Sequence, residues 1–337
     1  MTEQPVTIAQ IGCGYWGPNL LRNFSSQPNC SVKYVVDASV DRRRFVETNF
    51  PRTAAVDSVD VVLGDPEVSA VVIATPAATH FSIAAEALKA GKHVFVEKPL
   101  ATKVSEVDQL GELASARGLV VMVGHTFIYN PAVRYVKRLI DLGDLGEIRY
   151  IYSQRLNLGR IRSDIDALWN FAPHDISIIQ YWLGNPDPIS VRRQGMDYIQ
   201  PGIEDVVFLN LEYPNKVIAN VQVSWLDPQK VRKIVVVGSR KMVVYDDVAD
   251  DKIAIYDKGI DKMAILGQNM DFDAVRPAEF KYRSGDILLP EVKFNEPLRV
   301  ESAHFLDCVR NREESQTGIA HARTVVSILE RAKPFAQ

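Results

Sequence analysis

Up to about residue 120, short and nearly continuous apolar runs alternate with stretches in which apolar residues recur every three or four positions. Strands covered on both faces produce the first rhythm and amphipathic helices the second. The alternation therefore predicts an α/β domain with a doubly wound parallel sheet. Strands are expected over 6–11, 32–36, 68–74, 94–96 and 119–123, and helices over 40–49, 80–90 and 105–117. Gly91 stops the second of these helices, and Ser105 is placed to cap the third.

Beyond residue 124 the rhythm changes. A helix over 131–142 is followed by Gly143 and Gly146, and then by strands over 149–157, 189–196, 206–212, 216–224 and 233–238. Turn signals such as Tyr-Pro-Asn-Lys at 213–216 link them, so one large, mainly antiparallel open sheet is expected. Positions 259–297 carry few periodic signals and are expected as loop with short strands. Helices over 299–310 and 320–332 close the chain and are expected to pack back on the first domain or the sheet. A chain of 337 residues is long for one core, so two domains are expected, 1–124 and 125–337. Val207, Leu209 and Leu211 alternate with Val206, Phe208 and Asn210, which makes both faces of that strand apolar. The second face is therefore expected to be buried against another copy, in a homodimer or homotetramer.

Composition narrows the function. The net charge of −3 offers no basic excess for nucleic acid, and no apolar stretch approaches the length of a membrane span. The first residues run straight into a strand, and no signal peptide is expected. Cys13, Cys30 and Cys308 are widely spaced, outside any metal-ligand pattern, and are expected as reduced thiols in a cytoplasmic protein. The histidines show no metal spacing either.

The chemistry begins at Gly12, Gly14 and Gly17, which directly follow the first strand. A tight turn needs the first glycine, a pyrophosphate against the backbone needs the second, and close helix–sheet packing needs the third. The helix N-terminus then offers free N–H groups to the phosphates. Asp37 ends the next apolar run, 20 residues after Gly17, where it can bond a ribose and repel a 2′-phosphate. That favours NAD, while Arg42 and Arg43 close behind leave NADP open.

Ligands of such sheets lie beyond the carboxyl ends of the strands. Thr75-Pro76 with His80, Glu97-Lys98-Pro99, and Gly124-His125 all occupy such ends. Lys98 can donate to a substrate hydroxyl and stabilise a developing alkoxide; read alone, it is a solvated strand-end lysine. In Leu168-Trp169-Asn170-Phe171-Ala172-Pro173-His174-Asp175, Pro173 suits the first turn of a helix that ends at Gly184. His174 would then stand in an opening turn, kept neutral by the helix terminus and able to take a proton. His93 is expected to be structural, and His304 and His321 are assigned no role.

Together these motifs resemble the Gfo/Idh/MocA oxidoreductase family across nearly the whole chain. The resemblance implies a Rossmann domain followed by an α/β domain with a large open sheet, acting on a sugar or cyclitol carbon with a nicotinamide cofactor. It also implies that Lys98 binds the reacting hydroxyl and His174 is the acid/base. The cofactor would be lined by Gly12, Gly14, Tyr15, Trp16, Gly17, Asp37, Thr75, Pro76, His80, Glu97, Lys98 and His125, and the Lys98-Pro99 peptide would be cis. Family dehydrogenases often carry an aspartate four residues before the histidine. Here Asn170 stands there, which shifts proton transfer onto His174 and Lys98.

Arg155, Asn157, Arg160 and Arg162 cluster just before the catalytic helix, and Tyr129 and Asn130 add an aromatic face and an amide. Arginine forks suit phosphate and asparagine suits sugar hydroxyls, although a solvated basic loop would read the same. Residues 155–175 are similar to family members of sugar-nucleotide pathways. The implied reaction is oxidation of carbon 3 of a UDP-N-acetylglucosamine-type sugar, ahead of an aminotransferase. The alternatives are an NADP-dependent keto-sugar reductase, an NAD-dependent glycosidase of the same family, and a non-catalytic dinucleotide sensor.

Overall fold

The alternating pattern folds as βαβ units: β1 (Val6–Ile11), α1 (Gly17–Ser25), β2 (Cys30–Val36), α2 (Val40–Asn49), β3 (Ala54–Val56), α3 (Val59–Leu63), β4 (Ala70–Ile73), α4 (His80–Lys89), β5 (His93–Glu97), α5 (Val104–Ser115) and β6 (Val121–Gly124). The structure is a computed structural model, and it describes residues 5–263 and 279–333. The six strands are parallel, in the order β3-β2-β1-β4-β5-β6. This is a dinucleotide-binding order, whose reversal between β1 and β4 opens a crevice at the carboxyl ends. β3 and α3 were not expected: three residues carry too little pattern to read. Ser105 lies inside α5 rather than capping it, because Lys103 holds the N-cap position.

The chain continues through α6 (Pro131–Asp141), β7 (Ile148–Leu158), α7 (Ala167–Leu183), β8 (Ser190–Met196), β9 (Val206–Tyr213), β10 (Val217–Ser224), β11 (Leu226–Gly238), β12 (Met242–Asp246), β13 (Ile253–Met263) and β14 (Glu279–Leu288), and ends with α8 (Pro297–Asn311) and α9 (Ile319–Arg331). Strands β7 to β14 form one sheet in the order β14-β13-β12-β11-β7-β10-β9-β8, antiparallel except where β7 meets β10. The loop expected over 259–297 is corrected here. β13 and β14 are long strands paired with each other, held by a partner that local patterning does not reveal. Positions 264–278 of that stretch lie outside the described residues.

Contacts divide the chain into two units. One comprises Met1–Pro131, Ile176–Asn185 and Phe294–Lys333; the other comprises Ala132–Asp175 and Pro186–Lys293, each as far as described. The terminal helices thus belong with the parallel sheet. Val71, Ile73, Val94 and Val96 share one core with Ala84 and Leu88 of α4, Leu110 of α5 and Val326 of α9. Val72 and Phe95 share the other with Leu20 and Phe24 of α1 and Phe305 of α8. Phe24, Phe95 and Phe305 meet edge to face there, with centroids 5.6–6.1 Å apart.

α7 requires a second correction. It begins at Ala167, so Pro173 lies inside the helix and His174 is not in its opening turn. Asp166 supplies the start: its Oδ1 accepts the Trp169 N–H at 2.9 Å, the geometry of a helix cap. An internal proline costs the helix a hydrogen bond, and burial of Leu168, Ala172, Ile176 and Ile179 offsets it.

Candidate active site

β1 delivers the chain to Gly12, where φ is +93° and a Cβ would stand 2.7 Å from the Ala74 carbonyl oxygen. Conformation and space both exclude a side chain there. A Cβ on Gly14, by contrast, would meet no atom within 4 Å. Its bareness leaves open room over the backbone, as a pyrophosphate requires. Gln10, almost fully buried, donates its Nε2 to the carbonyls of Gly12 at 2.8 Å and Gly17 at 3.0 Å. It braces both ends of the loop, a role that sequence reading missed because a polar residue inside an apolar strand gives no hint of its partner. Tyr15 is exposed and Trp16 partly so.

Asp37 follows the end of β2. Its Oδ2 accepts the Cys13 N–H at 2.7 Å and its Oδ1 the Ser39 N–H at 2.9 Å. Arg43 turns its guanidinium to the carbonyl oxygens of Asp37 and Ala38, at 2.7 and 2.9 Å, and is committed to the main chain. Burial, with the Asp37 charge second, pushes the Cys13 thiol up to about 11, so this cysteine is unreactive.

The Lys98-Pro99 peptide is cis, as the family resemblance implied. His80 is buried between two loops: Nδ1 lies 2.7 Å from the Pro99 carbonyl and Nε2 2.8 Å from the Thr75 carbonyl. Burial lowers its pKa against the pull of those carbonyls. His80 is thus a clasp between the Thr75 and Lys98 loops, with neither ring nitrogen turned to a ligand. Thr75 Oγ1 accepts from Thr79 Oγ1 at 2.7 Å, and Thr75 Cγ2 lies beside Gly12. Glu97 accepts the Lys98 N–H at 3.2 Å, and burial raises its carboxyl to about 7.

Two expected ligand-facing residues lie inside the first unit instead. His125 is 2% exposed, its ring edge-to-face with His321 at 5.3 Å, and burial holds it well below the usual imidazole range. Tyr129 is 1% exposed, packed in the core with its ring near His304, so it presents no aromatic face to a substrate. Asn130 precedes α6 and is half-buried. His93 accepts the Val120 N–H on Nδ1 and is structural, as expected.

The second unit holds the remaining candidates. His174 and Asn170 are half-buried on α7. Arg155 is corrected: it is 4% exposed, and its Nε holds Asp175 Oδ2 at 2.5 Å, so its fork is spent on a carboxylate of its own chain. Arg162 pairs with Asp164, Arg160 is exposed, and Asn157 is half-buried near the end of β7. Arg193, foreseen by no sequence signal, binds Asp166 Oδ2 at 2.7 Å and Glu204, while the Glu204 carbonyl accepts the Ala167 N–H at 2.9 Å. These contacts fix the start of α7. Among the described residues no cluster could hold a metal ion, and no helix is long and apolar enough to cross a membrane.

An open glycine loop, a helix terminus behind it and an acid after β2 fit a dinucleotide, and they define a Rossmann-type dinucleotide-dependent protein. Comparison with known proteins carries this further. Residues 6–125 match the model of an oxidoreductase family with an NAD-binding Rossmann fold, and residues 133–244 match the Gfo/Idh/MocA C-terminal domain. The chain belongs to the Gfo/Idh/MocA family; it is an NAD-dependent oxidoreductase. It is 27% identical to a UDP-N-acetylglucosamine 3-dehydrogenase of Acidithiobacillus ferrooxidans, over 95% of this chain and 97% of the relative. It is 26% identical to a scyllo-inositol 2-dehydrogenase (NAD(+)) of Bacillus subtilis, over 92% of this chain and 87% of the relative. GenD2 from gentamicin A biosynthesis, solved in complex with NAD, shares the fold at a TM-score of 0.81 and 24% identity, over 98% and 94% of the two chains.

Proposed function

We propose that the protein oxidises the C3 hydroxyl of a UDP-N-acetylglucosamine-type nucleotide sugar to the 3-keto sugar. The product would feed an aminotransferase in cytoplasmic steps of cell-surface glycan or lipid A synthesis. The end-to-end likeness to a UDP-N-acetylglucosamine 3-dehydrogenase carries this reading. In it, residues 1–124 bind NAD, and residues 125–337 serve substrate and assembly.

Gly12, Gly14 and Gly17 receive the pyrophosphate, Asp37 the adenosine ribose, and Tyr15, Trp16, Thr75 and Pro76 line the cofactor. His80, Glu97 and His125 shape that wall from behind. Held there, NAD would supply the hydride acceptor for the sugar carbon. Lys98 donates to the reacting hydroxyl and stabilises the alkoxide as it forms. His174 takes the hydroxyl proton; set in mid-helix, it does so without the field of a helix terminus. Asn170 orients the same hydroxyl and accepts no proton. Asn157 and Arg160 address sugar and diphosphate, and Arg162 joins them only on leaving Asp164.

The test mixes enzyme, NAD and a panel of UDP-sugars and follows NADH absorbance. NADH formation with a UDP-N-acetylhexosamine and its loss in Lys98→Ala, with NAD affinity kept, supports the reading. Turnover without net NADH, or activity confined to NADPH and a keto sugar, overturns it.

The proposal extends to assembly. The open face of the second sheet exposes Tyr150, Tyr152 and Ile218 around a hollow of about 380 Å³ that Arg192 and Glu212 also line, and Phe208 is exposed on the same sheet. A second copy, bringing the same charges in reverse order, fits this face as a two-fold contact. A stable monomer in dilute sedimentation runs contradicts it.

A further inference from the structure

We propose that Arg155 and Asp175 are positioning residues for His174: their buried ion pair fixes the roll of α7 just beyond its internal proline. The catalytic half of this rests on the reading that His174 takes the hydroxyl proton.

Leu168, Ala172, Asp175 and Ile179 recur at helical spacing and form a buried stripe of α7. Asp175 is the charged member of that stripe. It meets Arg155 on β7, an interior strand of the second sheet, where Arg155 stands between Val223 of β10 and Arg232 of β11. The Arg155 guanidinium donates twice, from Nε to Oδ2 at 2.5 Å and from Nη2 to Oδ1 at 3.4 Å. Arg232, opposite Arg155 across the strand pair, has its own acid in Asp247 at 3.8 Å. Each guanidinium of the cross-strand pair therefore has one carboxylate.

A buried ion pair is a poor source of stability. Taking two charges out of water costs about as much as their attraction returns, and apolar residues of similar volume serve as well. What the pair supplies is direction. Leu168 and Ile179 can hold a helix in place over a range of roll, whereas a two-point fork on a carboxylate accepts one geometry.

Pro173 makes such an anchor necessary. It has no N–H to give the Trp169 carbonyl, so the helical ladder is interrupted between them. Upstream, the Asp166 cap and the edge-to-face contact of Phe171 with Trp225, centroids 6.3 Å apart, hold the helix. His174 lies on the other side of the proline, and its chain neighbour Asp175 carries the anchor there. A side chain about 5 Å from a helix axis moves ~1 Å for each ~10° of roll. A displacement of that size at a reacting group costs on the order of 10²-fold in rate.

The test uses the full-length double variant Arg155→Met with Asp175→Leu, which removes both charges together and leaves neither unpaired. Its urea midpoint and NAD affinity should match those of the natural protein. With UDP-N-acetylglucosamine, kcat should fall on the order of 10²-fold, by more than KM changes. In NMR spectra of isotope-labelled histidine rings, the resonance assigned to His174 by its loss in His174→Ala should shift, while that of His93 on the parallel sheet stays. An unmoved His174 resonance overturns the positioning role. So does a kcat left intact in the double variant when His174→Ala is inactive. Joint loss of urea midpoint, NAD affinity and kcat means that the pair is merely structural, and overturns it too. If the double variant does not fold, Arg155→Lys, which keeps the charge and loses the fork, is read by the same resonance and the same kcat. The resonance needs no substrate. Turnover that survives His174→Ala, or its absence with every UDP-sugar, sinks the reading of the site and leaves the resonance result standing, so the two failures are distinguishable.

Discussion

The imidazole Nδ1 of His80 meets the carbonyl oxygen of Pro99 at 2.7 Å, tying the start of α4 to the loop that carries Lys98. Its other nitrogen reaches Thr75, so one ring sets the spacing of two motifs at the dinucleotide crevice. His80→Ala should destabilise the protein by about 1–3 kcal/mol, since the carbonyl that takes the neutral ring's one N–H is left unsatisfied. NAD affinity and turnover should fall together. Urea unfolding and a cofactor titration check this; an unchanged NAD affinity would contradict the clasp.

Cofactor choice should turn on Asp37. Its carboxylate is held by the Cys13 and Ser39 N–H groups, and Arg43 is occupied with main-chain carbonyls. Asp37→Ala should lower the preference for NAD over NADP by about tenfold, corresponding to ~1.4 kcal/mol. Paired KM measurements with the two cofactors read the change.

Glu97 and His321 should make opposed contributions to the pH dependence of stability. Burial raises Glu97 from 4.5 to about 7, so the folded protein keeps a proton that the unfolded chain releases, and stability falls as pH rises through that window. Burial lowers His321 from 6.5 to about 4, so the folded protein refuses a proton that the unfolded chain takes. Its contribution is lost as pH falls below 6.5. Against the natural protein, Glu97→Gln should tilt the stability curve upward with rising pH across the acid range, and His321→Asn should tilt it downward, each by on the order of 2 kcal/mol. Urea denaturation in a buffer series measures both; parallel curves for the two variants would refute this assignment.

The start of α7 should control activity without altering the dinucleotide loop. Asp166 caps the helix through Trp169 and is gripped by Arg193. Asp166→Ala should cost about 1–2 kcal/mol for the cap alone. Arg193→Met, which leaves two half-buried carboxylates facing no guanidinium, should cost about 2–3 kcal/mol. Both should lower kcat with the sugar while NAD binding to the Rossmann unit is retained, as separate kinetic and cofactor titrations will show.

The parallel sheet was legible because its signals are local. Six apolar positions, Val6–Ile11, run into Gly12, and one acid closes the next strand; each is a short-range pattern with one physical reading. β13 and β14 were illegible because each is stabilised by the other rather than by its own periodicity. Pro173 was misread for a related reason. A proline at a first turn and a proline inside a helix look alike until the cap at Asp166 and the buried face of α7 are in place.

The same division runs through the site. The chain alone determined which groups are available: the glycines, Asp37, Lys98 and His174, because their kinds and spacing already carry a chemical meaning. Tertiary structure decided their partners. It spent Arg155 on Asp175, sank Tyr129 and His125 into the interior and turned His80 into a clasp. Burial and hydrogen bonding depend on residues far apart in the chain, and no local pattern encodes which of them will meet.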